Sequence, residues 1–232
     1  MRTGIIVFPG SNCDRDCKKA SDLMGWTADF LWHNGRKNLS SYDLIILPGG
    51  FSYGDYLRPG AISSLAPIME DVKEFAQKGG RVLGICNGFQ VLLECGLLPG
   101  ALLPNPSLRF ICRNLQVRVE NINNHFTGGF QKGQVLNLPV AHGDGRFFCS
   151  PDQLQELERE NRIVFKYCNP EGKILAPANP NGSRGAIAGI INEEGNVLGM
   201  MPHPERAMEK ILSGRTEDGR LLFASLEEVQ GI

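Results

Sequence analysis

In the first half of the chain, short unbroken apolar runs alternate with longer stretches whose apolar residues recur every three or four positions. The runs are Gly4 to Phe8, Leu44 to Leu47 and Val82 to Ile85, and Ala28 to Trp32 reads as a further strand interrupted by Asp29. Unbroken runs suit strands covered on both faces, as in parallel sheets. Residues 12–24 carry Cys13, Cys17, Ala20 and Met24 on one helical face, with Gly25 after them. Residues 61–77 carry Ile62, Leu65, Met69, Val72, Phe75 and Ala76, with Gly79 and Gly80 beyond. Asn87 to Cys95 places Phe89, Leu92 and Leu93 on one side and stops at Gly96. Strand and helix taken in turn predict an α/β fold with a central, mostly parallel sheet flanked by helices.

After about residue 110 the pattern changes. Leu115 to Val119 and Ile163 to Tyr167 read as antiparallel strands. Ile187 to Ile191 and Val197 to Met200 read as a hairpin closed by Glu193, Glu194, Gly195 and Asn196. Asp218 to Val229 reads as a helix with Leu221, Leu222, Leu226 and Val229 on its apolar side. The Pro-, Asn- and Gly-rich segment 177–185 reads as a mobile loop. No repeat or linker divides the chain, so residues 1–232 are read as one domain with an antiparallel extension in its C-terminal half.

Composition narrows the function classes. A hydrophobic content of 42% over 232 residues supports a large core. Lys plus Arg is 24 and Asp plus Glu is 25, with no basic stripe, which argues against a nucleic-acid partner. No apolar run is long enough for a membrane span, and no secretory pattern opens the chain, so a cytoplasmic protein is expected. The seven cysteines are odd in number and scattered, as reduced thiols are. Cys13 and Cys17 have no His or Cys partner at metal-binding spacing, so both read as core packing and no metal ligand set is expected.

The chemistry concentrates in two segments. In Val82-Leu83-Gly84-Ile85-Cys86-Asn87-Gly88-Phe89-Gln90 a strand runs into a sharp turn at Cys86 and a helix opens at once. This is the nucleophile-elbow pattern with a thiol, placed at the positive end of a helix where a thiolate is favoured. The Asn87 N–H is then free to hold an oxyanion. A buried structural cysteine is the alternative. In Met201-Pro202-His203-Pro204-Glu205 two prolines favour extended backbone, where positions two apart face the same way. Glu205 can then orient His203, which makes His203 a candidate base for Cys86. His142, with Asp144 two positions on, is the rival base. The run Gly49-Gly50-Phe51-Ser52-Tyr53-Gly54-Asp55 follows a strand like a phosphate loop, but no nucleotide P-loop motif occurs in the chain. Its backbone N–H groups can instead supply the second half of an oxyanion hole.

Together these residues resemble the class I, triad-type glutamine amidotransferases. The family's Gly-x-Cys-x-Gly-x-Gln is matched by Gly84, Cys86, Gly88 and Gln90, and its His-Pro-Glu by His203, Pro204 and Glu205. The resemblance implies a Cys86–His203–Glu205 triad, and so His203 as the base. The runs at 8–14, 48–61 and 141–147 look like a narrower branch, the glutaminase subunits that serve an amidine-forming synthetase of purine biosynthesis. For that branch the resemblance implies hydrolysis of L-glutamine through a glutamyl thioester, with ammonia delivered to a large synthetase subunit. In some members a small third subunit joins. No cofactor is implied for this chain; ATP and Mg are expected on the synthetase. Gly49, Gly50, Phe51 and Asn87 are implied as oxyanion donors, and Gln90, Ala141, His142, Gly143 and Asp144 as the glutamine grip. Asp144 stands where related chains often carry Glu. Two other classes share parts of the pattern: a stand-alone cysteine hydrolase or peptidase of related fold, and a silent scaffold subunit, which would have lost part of the triad.

Overall fold

The computed structural model describes residues 1–213 and 216–228. Its N-terminal part runs β1 (Arg2–Val7), α1 (Asp14–Leu23), β2 (Thr27–Trp32), β3 (Leu44–Leu47), α2 (Pro67–Gln77), β4 (Arg81–Ile85) and α3 (Asn87–Glu94). It continues with β5 (Ala101–Leu103), β6 (Ile111–Val119), β7 (Val135–His142), β8 (Arg146–Phe148), α4 (Pro151–Arg159) and β9 (Ile163–Cys168). The chain ends with β10 (Ile187–Ile191), β11 (Val197–Met200), α5 (Lys210–Ser213) and α6 (Asp218–Glu228). Among the described residues nine strands form one sheet in the order β2-β1-β3-β4-β11-β10-β9-β6-β7, and β5 pairs with β8 apart from it.

The sheet is parallel from β2 to β11 and antiparallel from β11 to β7. This is the expected α/β architecture with its antiparallel arm. Every residue of β3 and of β11 is buried, as unbroken apolar strands demand. By contrast, burial alternates along the whole of β7, which has one wet face. The β10–β9 pairing shifts register around Gly189, and such bulges bend a sheet. β7 closes the far edge and carries Pro139, a residue that edge strands tolerate. Its Asn137 N–H donates to the Asp218 carboxylate at 2.7 Å, which ties this edge to α6.

Several local expectations are corrected. The helix expected from residue 61 begins only at Pro67, after a separate 3₁₀ turn over Ser63–Leu65. Proline favours the first helical position and biases the residue before it away from helix. Leu65 therefore points to solvent, 84% exposed, rather than into the core. In α6 the buried face is Leu222, Phe223 and Leu226, while Leu221 is exposed. Val229 lies outside the described residues. Helix α4 was absent from the hydrophobic pattern because its start is polar. Ser150 and Gln153 form a reciprocal capping box, and Pro151 follows the cap.

The loop expected to be mobile at 177–185 is packed into the molecule. Asn181 is fully buried and Ser183 nearly so. Asn181 Nδ2 donates to the Gly145 carbonyl at 2.8 Å and to the Tyr167 hydroxyl at 3.2 Å. Ser183 Oγ accepts from the Phe147 N–H at 3.1 Å. A polar sequence reads as loop whether it faces water or satisfies buried backbone, and here it does the second.

Candidate active site

Cys86 stands between the end of β4 and the start of α3 with φ 50° and ψ −104°. A side-chain-bearing residue in that conformation is strained and must be held by its surroundings. The two flanking glycines explain how. A Cβ on Gly88 would overlap the Leu47 carbonyl of β3. One on Gly84 would come within 2.8 Å of the Gly88 carbonyl group and would overlap Leu92. The Gly-x-Cys-x-Gly spacing thus lets α3 descend onto β3 and β4, and the cysteine between them absorbs the turn. The Cys86 N–H donates to the Met200 carbonyl at 2.8 Å, and its own carbonyl accepts from Gln90 N–H at 3.1 Å. Asn87 opens the helix, so its N–H has no helical carbonyl to bond.

The side chains of this helix tie neighbouring loops together. Asn87 Oδ1 accepts from the Ser52 N–H at 3.2 Å, and its Nδ2 donates to Gln90 Oε1 at 2.9 Å. Gln90 Nε2 in turn donates to the Asp144 carbonyl at 2.9 Å. Ser11 and Gly50 form an antiparallel bridge in which Phe51 N–H donates to the Gly10 carbonyl at 3.0 Å. That bond occupies Phe51. Gly50, at φ 150°, makes no such donation among the described residues. Of the glycine-rich run, Gly50 rather than Phe51 therefore has an N–H to offer. The side chain of Phe51 is about half exposed, its ring 6.3 Å from that of Phe110.

His203 follows β11, and its Nδ1 lies 2.6 Å from Glu205 Oε1 with both side chains buried. The route differs from the expected extended segment. Pro204–Arg206 is a 3₁₀ turn, with Arg206 N–H on the His203 carbonyl at 3.2 Å. The turn, not an extended strand, brings the carboxylate back to the ring. Nδ1 faces Glu205, so Nε2 is the nitrogen left to exchange a proton. Burial alone would lower the proton affinity of this ring; Glu205, then Cys86 and Cys13, outweigh it and raise the pKa well above the ordinary histidine value.

His142 provides the contrast. Its ring is buried, neither nitrogen has a hydrogen-bond partner, and burial with His203 nearby lowers its pKa to about 4. Asp144 does not pair with it. The two candidate bases are thus distinguished by their partners: His203 has a carboxylate and His142 has none.

The remaining wall of the site arrives from the far edge of the sheet. Ala141 lies near the end of β7, five strand positions from β4. In a flat sheet that separation would be about 24 Å. Instead the Cys86 thiol lies 3.6 Å from the Ala141 carbonyl, and His203 N–H donates to the Pro139 carbonyl at 2.8 Å. The antiparallel arm therefore curls back over the parallel half. Asn105, fully buried, clamps the turn that follows. Its Nδ2 donates to the carbonyls of His142 and Arg109 at 2.9 Å, and its Oδ1 accepts from Gly145 N–H at 3.2 Å. Asn181 holds the Gly145 carbonyl from the other side. The sequence reading missed both asparagines, whose one signal is an amide within a Pro-rich segment. Asp55 sits across from Asp144, and burial, then that neighbour, raises its pKa to about 6.

Cys13 and Cys17 are both buried, as core packing requires, and Cys13 also stands at the entry to α1 beside His203. Its thiol, a His203 nitrogen and a Glu205 oxygen lie within 4.8 Å of one another.

Comparison with known proteins places the chain in a family. The family model described as CobB/CobQ-like glutamine amidotransferase domain matches residues 1–222. The phosphoribosylformylglycinamidine synthase subunit PurQ of Moorella thermoacetica is 56% identical over 97% of this chain and 95% of its own length. That of Aquifex aeolicus is 50% identical over 97% of this chain and 99% of its own. Among solved structures, a chain in "Structure of PurLQS from Thermotoga maritima" superposes with a TM-score of 0.86 at 42% identity, covering 98% of this chain and 97% of that one. The chain thus belongs to the glutamine amidotransferase family and, within it, to the branch of the phosphoribosylformylglycinamidine synthase subunits PurQ.

Proposed function

We propose that this chain is the glutaminase subunit of a phosphoribosylformylglycinamidine synthase and that residues 1–232 act as one domain with Cys86, His203 and Glu205 as its triad. The observation that carries the reading is the buried 2.6 Å His203–Glu205 pair beside a thiol held at a strained elbow. The Cys86 thiolate attacks the side-chain amide carbon of L-glutamine. The N–H groups of Gly50 and Asn87 hold the oxygen that becomes an oxyanion. His203 Nε2 hands its proton to the departing ammonia, leaving a glutamyl thioester on Cys86. The same nitrogen then takes a proton from water as it attacks the thioester, and glutamate leaves. Gln90 and the turn from Ala141 through His142 and Gly143 to Asp144 grip the substrate.

Ammonia passes to a large synthetase subunit in the cytoplasm, which supplies ATP and magnesium; a small third subunit completes the assembly. This chain works without a cofactor of its own. Among the described residues no helix is long and apolar enough to cross a membrane. The synthetase docks near residues 51–60, where Tyr56 and Leu57 are strongly exposed and Tyr53, Asp55 and Leu57 all hold positive φ. A partner that prefers one arrangement of this loop shifts the population toward it.

The test compares glutamine-dependent with ammonia-dependent synthesis in the assembled enzyme. Cys86→Ala should abolish the first, by a factor of roughly 10³ or more, and spare the second. Glu205→Gln should reduce glutamine use less than Cys86→Ala does. Glutamine use near the wild-type rate in Cys86→Ala would remove Cys86 from the mechanism. Full glutamine hydrolysis by the chain without synthetase would sink the coupling and favour a stand-alone hydrolase.

A further inference from the structure

The reaction above makes no use of Cys13, yet Cys13 is a third buried side chain beside the His203–Glu205 pair. It is 6% exposed, against 2% for each of the other two. It reaches that position because Gly49 has no side chain. A Cβ on Gly49 would lie 2.7 Å from His203 Cε1 and 3.2 Å from Cys13 Sγ. The backbone holds the arrangement from beneath, with Cys13 N–H on the Gly49 carbonyl at 3.2 Å. The thiol itself has only a weak partner, Asn12 Oδ1 at 3.4 Å.

Glu205 Oε2 is buried and has no hydrogen-bond partner among the described residues. An unpartnered carboxylate oxygen in a protein interior is costly unless something occupies it. One sulfur, one imidazole and one carboxylate make a soft and borderline donor set. Calcium and magnesium take oxygen ligands, whereas zinc takes sulfur, nitrogen and carboxylate oxygen in a tetrahedron. Ligand atoms already within 4.8 Å of one another need to close by only about 1 Å to match zinc bond lengths.

We propose that Cys13, His203 and Glu205 form a site for a thiophilic divalent cation, zinc in the first instance, with water as the fourth ligand, and that its occupation switches the glutaminase off. Binding exchanges the Cys13 S–H for a sulfur–zinc bond and the proton on the ligating His203 nitrogen for a nitrogen–zinc bond, and releases both protons to solvent. It also draws His203 out of proton transfer. The inhibition rests on the triad reading above; the binding does not.

Cobalt(II) reports on the binding independently of activity, because a thiolate on cobalt gives a charge-transfer absorption that serine and alanine cannot. The full chain should take up one cobalt ion with that absorption, and zinc should displace it. Cys13→Ala and Cys13→Ser should weaken the absorption and the affinity at least tenfold. In the assembled enzyme, the zinc concentration that halves each variant's own rate should rise at least tenfold over wild type, and a chelator should restore the wild-type rate. Circular dichroism of both variants separates loss of a ligand from loss of fold, and Cys13→Ser carries the test should Cys13→Ala unfold. Absence of a thiolate absorption in the wild type, or unchanged affinity without Cys13, overturns the site. Cobalt uptake through Cys13 with no effect of zinc on the rate overturns the switch alone. Cobalt uptake in a chain that hydrolyses no glutamine leaves the metal site standing and overturns the functional reading instead.

Discussion

The two arms of the sheet differ in how they contribute to the site. The inner parallel strands β3 and β11 are buried on both faces and have no exposed residue. At the far edge of the antiparallel arm, β7 repeats an intermediate-then-buried pattern along its whole length. The parallel arm delivers Cys86 and His203 directly from the ends of adjacent strands, β4 and β11. Ligand sites at the carboxyl ends of parallel strands follow from that topology. The antiparallel arm delivers Ala141 to Asp144 only because it curls back, and it needs asparagine clamps to hold them there. One arm positions by close packing and the other by hydrogen bonds, so they should fail differently.

The largest effect should come from Gly88→Ala in the packed arm. The new methyl would overlap the Leu47 carbonyl, which is backbone and has little room to yield. We expect a loss of about 3 kcal/mol or more, read as a lowered denaturant midpoint together with loss of activity. Stability unchanged within 1 kcal/mol, a bound set by the same overpacking range, would show that the elbow is less tightly held than its geometry says.

Next comes the pH response of the curled arm. The folded state holds His142 at a pKa of about 4, below its ordinary value of 6.5. Between those values the unfolded chain binds a proton that the folded chain does not. Its contribution is therefore intact above pH 6.5 and is lost as pH falls toward 4, by about 3 kcal/mol in full. Denaturant unfolding between these pH values should show a shallower pH slope in His142→Gln than in wild type. An identical slope in both proteins would assign the acid sensitivity elsewhere.

A smaller loss is expected from Asn105→Ala. It strands the Gly145 N–H and the His142 carbonyl, at about 1–3 kcal/mol for buried groups left unpaired. Because it loosens the turn and leaves the proposed triad in place, KM for glutamine should rise several-fold while ammonia-dependent synthesis stays unchanged. A fall in kcat with KM constant would place Asn105 in another role.

The smallest effect sharpens the contrast. Gly143 sits in the curled arm, and a Cβ there would meet only a Phe110 ring carbon at 3.9 Å, an ordinary contact. Gly143→Ala should shift stability by no more than about 0.5 kcal/mol. A cost comparable to that of Gly88→Ala would erase the distinction between the two arms.

The legible parts of this molecule are those whose cause is local. Unbroken apolar runs specify covered strands, and Gly84 and Gly88 around Cys86 specify an elbow because sterics act over two residues. The His203–Glu205 pair was legible for the same reason, although a 3₁₀ turn achieves it and not extended backbone. Leu65 departs from its expected place in the core because Pro67 restarts the helix and breaks the helical period. Tertiary structure alone decided three things: that Cys13 lies on His203, that Ala141 lies on Cys86, and that Asn105 and Asn181 hold the turn between them. Each joins residues distant in sequence. For Ala141 and the asparagine clamps, that meeting needs the antiparallel arm, whose register shifts around Gly189, to come back over the parallel half. Periodicity and spacing report the preferences of neighbours along the chain; the curl of the sheet arises only when all its strands are packed together.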